Sequence, residues 1–386
     1  MALNPSLLKD RIAKATAKWN SARAIADELT VPNVGTLRAV LENQTAKMPE
    51  LADRKRTEKF EIAWMEACQN TAVMEEGVIT RGMPCEFTGW TPNTNKQEIV
   101  IARRFREAFF VPAEEDYIDN LFSREDSFNM GYNQCQKNLA ELLNKYFISK
   151  TMEFSGENKF HKGFGLPALT GPTAWEKTKF PYKNTLDQNF PAVFNSYLSM
   201  SQRFNKLNNP FLIEGGFMQL TQGQRVDGSL ERYNYAGRNV YSDMNNMIDF
   251  NGTSLFNDAF LIARGAMAFF SVYNNPSAAV VESGSNFEVI KMSRPLLGFQ
   301  DANGQPIMVD IYHERKRTEI LQAEFPNKNI DNRCKIYDVY YMEIHGELFL
   351  NPLACGDNTT GIIHLTADET LPYFKTQNAL SYVEQL

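Results

Sequence analysis

Residues 123–147 read "SREDSFNMGYNQCQKNLAELLNKYF", and this stretch decides the fold. Phe128, Tyr132, Cys135, Leu139, Leu142, Leu143, Tyr146 and Phe147 recur at helical spacing. Ser123, followed three residues later by Asp126, has the form of a capping box, and the acids after Pro112 sit where a helix start favours them. The pattern predicts an amphipathic helix of about 25 residues, about 37 Å long at 1.5 Å per residue. With β-rich runs before it and a mixed region of short strands after it, the fold class expected is α+β.

Upstream, residues 5–75 read as helical, with breaks at "TVPNVGT" and "KMPEL". From Gly77 the texture turns extended, with two β-rich runs around "GWTPNTNK" that predict a long hairpin or projecting loop. Downstream, residues 153–181 are loop-rich and mark a boundary between sub-domains. Phe190, Val193, Phe194, Tyr197, Leu198, Phe204 and Leu207 then define a second amphipathic helix, which Asn208-Asn209-Pro210 stops. Phe211 to Ile213 enter a buried strand, and Gly215-Gly216 turn the chain away. The run "AFLIARGAMAFFSVY" (259–273) fits helix or strand, and "CKIYDVYYMEIHGELFLNP" (334–352) fits one long strand or a hairpin.

Composition and motifs exclude several function classes. The 386 residues carry 40 Lys and Arg against 46 Asp and Glu, a net charge of −6 that argues against a dedicated nucleic-acid-binding domain. Cations gather at the N-terminus instead: Lys9, Arg11, Lys14, Lys18 and Arg23 face only Asp10. The 27 Phe and 15 Tyr provide aromatic area beyond what a core needs, which points to interfaces. Five scattered cysteines without a C-x-x-C pair read as reduced thiols. The N-terminus lacks the apolar core of a signal peptide, and Arg264 interrupts the longest apolar run, so secretion by that route and membrane spanning are not expected.

A phosphate loop at Gly215-Gly216 would need lysine and serine or threonine in register on a following helix, and "FMQLTQGQRVDG" supplies neither. "HGELFLNPLACGDN" (345–358) echoes a zinc-deaminase signature but lacks the second thiolate; Glu343, His345 and Glu347 read as one face of a strand. The four histidines, His161, His313, His345 and His364, show no metal-helix spacing, and no G-x-S-x-G elbow occurs. Glu114, Glu115 and Asp116 read as a helix-start cluster. No catalytic, cofactor-binding or metal-binding residue is predicted.

The order basic helical arm, projecting loop, long helix, mixed α/β region and late strand resembles the major capsid proteins of tailed phages, the Hong Kong 97-like fold. "FPAVFNSYLSMSQRFNKL" before "PFLIEG", then "AFLIARGAMAFF" and "YYMEIHGELFLNP", carry the likeness in its order along residues 76–365. The resemblance implies an N-arm (1–75), an extended E-loop (76–115), a spine helix and peripheral domain (116–180), an axial domain (181–335) and a return strand with a C-terminal peripheral segment (336–386). It further implies a structural protein, not an enzyme, that assembles with copies of itself as pentamers and hexamers into an icosahedral shell. Such a virion capsid, built in the bacterial host cytoplasm, would meet portal, decoration or auxiliary capsid proteins, would contact packaged DNA non-specifically, and would have no membrane partner. Phe87 and Trp90 at the loop tip would serve subunit contacts, and the cations from Lys9 to Arg23 would face DNA. Alternative readings are an encapsulin-like protein compartment, a tail or baseplate subunit, and a cytosolic enzyme without a recognisable motif.

Overall fold

A computed structural model describes residues 5–25, 34–47, 59–65, 94–112, 124–158, 177–181, 190–217, 232–283, 288–300, 304–327, 330, 336–353 and 360–368. Helices α1 (Pro5–Ile25), α2 (Gly35–Asn43) and α3 (Arg124–Glu153) surround the first part of the core. α3 runs for 30 residues, about 45 Å at 1.5 Å per residue, with Glu125 and Asp126 in its first turn. Phe128, Tyr132, Cys135, Leu139, Leu143 and Phe147 form its buried stripe. The helix outlasts the predicted 25 residues because Ile148 and Thr151 continue that stripe. Leu142, expected on the apolar face, is 41% exposed. Ser123 lies outside the described residues, and with it the expected capping box.

Strand β1 (Phe60–Met65) pairs antiparallel with β2 (Thr94–Ile99) as a two-stranded ribbon. This corrects the helical reading of residues 5–75 at Phe60–Met65, while α1 and α2 agree with it. Phe60, Ile62 and Trp64 are buried on alternate positions, and their packing on Ala268, Phe270 and Val272 overrides a weak local helix preference. The ribbon therefore begins at Phe60, ahead of the expected loop start at residue 76.

Two six-stranded sheets make up the rest. The first contains β3 (Arg104–Pro112), β9 (Met267–Val272), β10 (Val280–Ser283), β11 (Glu288–Gln300), β12 (Pro306–Arg317) and β13 (Ile336–Leu350). Its order is β10-β11-β12-β13-β3, with β9 also on β13. The 334–352 stretch is thus one strand: β13 pairs β12 and β3 over its first half and takes β9 from His345 onward. Gly346 permits that handover, since an added Cβ would stand 2.4 Å from Phe269 Cζ.

The second sheet contains β4 (Lys177–Pro181), β5 (Phe211–Glu214), β6 (Arg232–Tyr235), β7 (Arg238–Ser242), β8 (Asp258–Ile262) and β14 (Ile362–Asp368), in the order β4-β14-β8-β5-β7-β6. The 259–273 run resolves into β8 and β9, one strand in each sheet, joined through Gly265 at φ 80°. Both strands are buried at every position, so neither shows the alternation that would identify a strand. Along residues 181–335, β5 to β8 join the second sheet and β9 to β12 the first, and β14 joins the second from beyond.

Shorter helices complete the fold: α4 (Phe190–Phe204), α5 (Met244–Met247) and α6 (Thr318–Glu324). α4 ends at Phe204, ahead of the expected stop at Asn208-Asn209-Pro210; β5 is buried along its length as expected, and the glycines lie against the loop before β8. Gly215 N–H donates to Asp258 O at 2.9 Å, and a Cβ at Gly215 would stand 2.1 Å from Leu255 O. Buried Glu214 Oε2 accepts from Gly216 N–H at 2.6 Å. Close approach of two backbones requires Gly215, and a φ of 123° favours glycine at Gly216.

One continuous core joins α1, α2, α3 and faces of both sheets. The ribbon root and α6 each add a smaller cluster.

Candidate functional site

α1 lies on α3 through Leu8, Ile12 and Ala15, which are buried in the common core. Arg11 Nη1 donates to Tyr340 Oη at 3.3 Å, and its guanidinium carbon lies 6.0 Å from the Phe128 ring centroid. Lys14 Nζ pairs with Glu125 at 3.2 Å across exposed side chains. Lys9 lines an open groove beside Arg294 of β11. Lys18 and Arg23 belong to α1, but their side chains lie outside the described residues, as do Phe87 and Trp90 altogether. The five cations of the arm are therefore not equivalent: one anchors the helix, one pairs at the surface and one faces a groove.

Beneath Arg11, Tyr340 stacks on His313 with centroids 4.4 Å apart. Burial pushes the Tyr340 phenol up to about 12, and Asp338 adds to this while Arg11 opposes it. Asp338, fully buried on β13, accepts from Arg315 Nε at 2.8 Å, pairs with Arg124 and lies 3.2 Å from His313 Nε2. Burial alone would raise its carboxyl, but His313, Arg315 and Arg124 outweigh burial and hold it well below the usual carboxylate range. The start of α3, β12 and β13 are locked together at this carboxylate.

A second buried junction joins α2, the middle of α3 and the segment after β7. Asp243 Oδ2 accepts from Thr36 N–H at 2.9 Å, Thr36 Oγ1 at 2.5 Å and Asn144 Nδ2 at 2.7 Å. Its Oδ1 accepts from Asn246 Nδ2 at 2.8 Å, while Asn144 Oδ1 accepts from Leu37 N–H at 2.8 Å. Burial still raises the Asp243 carboxyl despite these four donors. Gly35 fits against the same segment, since a Cβ there would stand 2.3 Å from Ser242 O. Sequence reasoning missed this junction because residues 36, 144, 243 and 246 share no spacing that marks them.

The face expected at Glu343, His345 and Glu347 is present as a ladder of charges. Glu343 meets Arg106 Nε at 3.2 Å, Glu347 meets Arg103 Nε at 3.4 Å, and His345 Nε2 lies 3.1 Å from Asn274 Nδ2. Nearby Asp310 accepts from the N–H groups of Asn274 and Asn275 at 2.9 and 3.2 Å, and from Ser293 Oγ. These groups bind one another and pin the point where β13 changes partner. Among the described residues no group of three His, Cys, Asp or Glu side chains is placed to hold a metal ion, and no helix is long and apolar enough to cross a membrane.

Comparison with known proteins adds likenesses of chain path. No family model matches the sequence, and no curated protein matches it. The fold is similar to a structure described as the Cyanophage A-1(L) capsid asymmetric unit, at TM-score 0.41 and 11% identity over 89% of this chain and 95% of that one. It is also similar to a chain from Mycobacterium phage Adephagia, at TM-score 0.40 and 11% identity over 91% and 94%. A third similar structure is the holo-SrpI encapsulin complex of Synechococcus elongatus PCC 7942, at TM-score 0.35 and 11% identity over 74% and 81%.

Proposed function

We propose that this chain is the structural subunit of a tailed-phage-type capsid and closes with copies of itself into an icosahedral shell around DNA. The observation that carries this reading is the arrangement around α3. A helix of 30 residues packs on the first sheet through β3 and β13, reaches the second sheet through α2 and Asp243, and is overlaid by α1. The separately rooted ribbon β1-β2 leaves the same body. This arrangement supports the order of N-arm, extended loop, spine, and peripheral and axial domains that the sequence resemblance implies. In this reading the first sheet, with α3, is the peripheral domain, the second sheet the axial domain, and the ribbon the root of the extended loop. Self-association of such a subunit needs several distinct edges, since a closed shell sums many modest contacts.

The role is structural rather than enzymatic. Asp243, Asp338 and His345 are each bound by side chains of neighbouring elements, Asn144, Arg315 and Asn274, which suits fixed joints between elements more than turnover. The proposed place of the chain is the virion shell, with pentamers and hexamers as the assembly units and the groove side of α1 toward the genome. Electron microscopy of the purified chain across a concentration series tests the proposal. The expected result is pentamers, hexamers or uniform closed particles. Tubes or open rings would indicate a tail or baseplate subunit, protein-filled particles without DNA an encapsulin-like compartment, and a persistent monomer would sink the shell reading.

A further inference from the structure

The three described cations of α1 are used differently, and the difference exposes a site. Arg11 is held by Tyr340 and Phe128, and Lys14 by Glu125. Lys9 instead looks into an open groove of about 420 Å³, with Pro5, Ser6 and Lys9 on one wall and residues 277–279 with Arg294 on the other. Among the described residues no carboxylate lines it. Arg294 Nε is buried without a hydrogen-bond partner among the described residues. Two cations from separate elements thus line one open volume, and like charges there favour an anion between them.

A single oxyanion in the groove would offset the charge of both cations. A guanidinium presents a planar fork that matches phosphate oxygens, and a lysine adds a point charge from another direction. The hydroxyls of Ser6 and Ser277 also line the groove, and Ala278, Ala279 and Pro5 leave space beside them. A tetrahedral anion can direct oxygens at both walls at once, whereas a planar carboxylate serves one wall better than two. We propose that the groove between α1 and the 277–279 segment is a phosphate-binding site, with Lys9 and Arg294 as its charged walls. Its phosphate comes from a nucleic-acid backbone or from free inorganic phosphate. Only the nucleic-acid source rests on the shell reading above.

The full chain is titrated with a labelled single-stranded DNA oligonucleotide, with inorganic phosphate, and with a polyglutamate peptide of the same charge as the DNA. Lys9→Ala and Arg294→Gln are compared with the parent and with Lys145→Ala, an exposed lysine on α3. The site as proposed gives about 5- to 30-fold weaker DNA binding for each groove variant and none for Lys145→Ala, with the slope of log affinity against log salt falling by about one per lost contact. A response to inorganic phosphate that both groove variants lose, with no DNA binding, assigns the source to free phosphate. Lys9 is exposed, so Lys9→Ala stays interpretable should Arg294→Gln fold poorly. Unchanged binding of both probes by both variants, equal loss in Lys145→Ala, or polyglutamate competing as well as DNA would overturn the site. Micrographs of the same samples keep the two proposals apart: closed particles with unaltered binding remove the groove alone, whereas monomers with groove-dependent phosphate binding remove the shell alone.

Discussion

At the scale of the residue, Gly131 reverses an ordinary rule. Glycine inside a helix costs about 1 kcal/mol relative to alanine, so Gly131→Ala should help α3. An added Cβ would, however, stand 2.4 Å from Phe109 Cδ2. That ring is held by stacking 4.8 Å from Tyr340 and by an edge contact 5.5 Å from Phe128, so it has nowhere to move. Gly131→Ala is expected to destabilise the chain by about 1–3 kcal/mol, as overpacking does. Urea unfolding measures it, and a raised midpoint would contradict the packing described. Asp338 sets a second expectation, one with a pH sign. His313, Arg315 and Arg124 outweigh burial and lower its folded-state pKa. Its stabilisation is therefore present above the unfolded aspartate value, about 3.9, and is lost as pH falls through the lower folded value. Asp338→Asn should cost about 3–5 kcal/mol at neutral pH by leaving buried cations unmatched. The gap between variant and parent should close below about pH 4; a gap that stays constant down to acid would rule out the ion pairs as its source.

At the scale of the element, the ribbon and the arm are the parts with the least shared core. Trp64 is fully buried at the ribbon root among Phe60, Ile62, Ala268 and Phe270. Trp64→Ala should cost about 3–5 kcal/mol and expose the β1-β2 amides to hydrogen exchange before those of β13. Uniform exchange across both would show that the ribbon is not a separate unit. For α1, Arg11→Ala removes the hydrogen bond to Tyr340 and the contact over Phe128. The expected loss is about 1–2 kcal/mol of protection confined to α1. The elements that were legible in the sequence share one property. α3, α4, β5 and β13 bury a stripe or a run whose period or bounding residues declare the element. β1 escapes the sequence reading because Phe60, Ile62 and Trp64 pack on residues brought together from three parts of the chain: Ala46; Ile99 and Ile101; and Ala268, Phe270 and Val272. The 259–273 run stays open between helix and strand in the sequence for a related reason. β8 and β9 are consecutive and equally buried, and only pairing with β14 and β13 sends them to different sheets. At the arm, the sequence identified the cations, but which of them remains at a groove depends on Tyr340, Glu125 and Arg294, none of them near in sequence.

At the scale of the whole molecule, the question is what makes two sheets one cooperative body. α3 carries the answer, because its start is tied to the first sheet at Asp338 and its middle to the second at Asp243. Asn144 is the α3 side of the latter tie, donating to Asp243 and accepting from Leu37 N–H while fully buried. Asn144→Ala leaves a backbone N–H and part of a carboxylate unsatisfied, a loss of about 2–4 kcal/mol when two buried groups are counted. If the cost were merely local, calorimetry of the full chain would show one transition moved to lower temperature. A coupling role predicts more: the second sheet should lose its fixed relation to α3 and unfold in an earlier, separate transition, while the first sheet keeps its midpoint through Asp338. Gln134→Ala, on the exposed face of the same helix, serves as the comparison and should leave a single transition near that of the parent. A single shifted transition for Asn144→Ala would place the coupling in the apolar core common to both sheets instead. Two transitions would show that one amide between α3 and Asp243 keeps the sheets together, which a shell subunit needs if strain applied at one edge is to reach another.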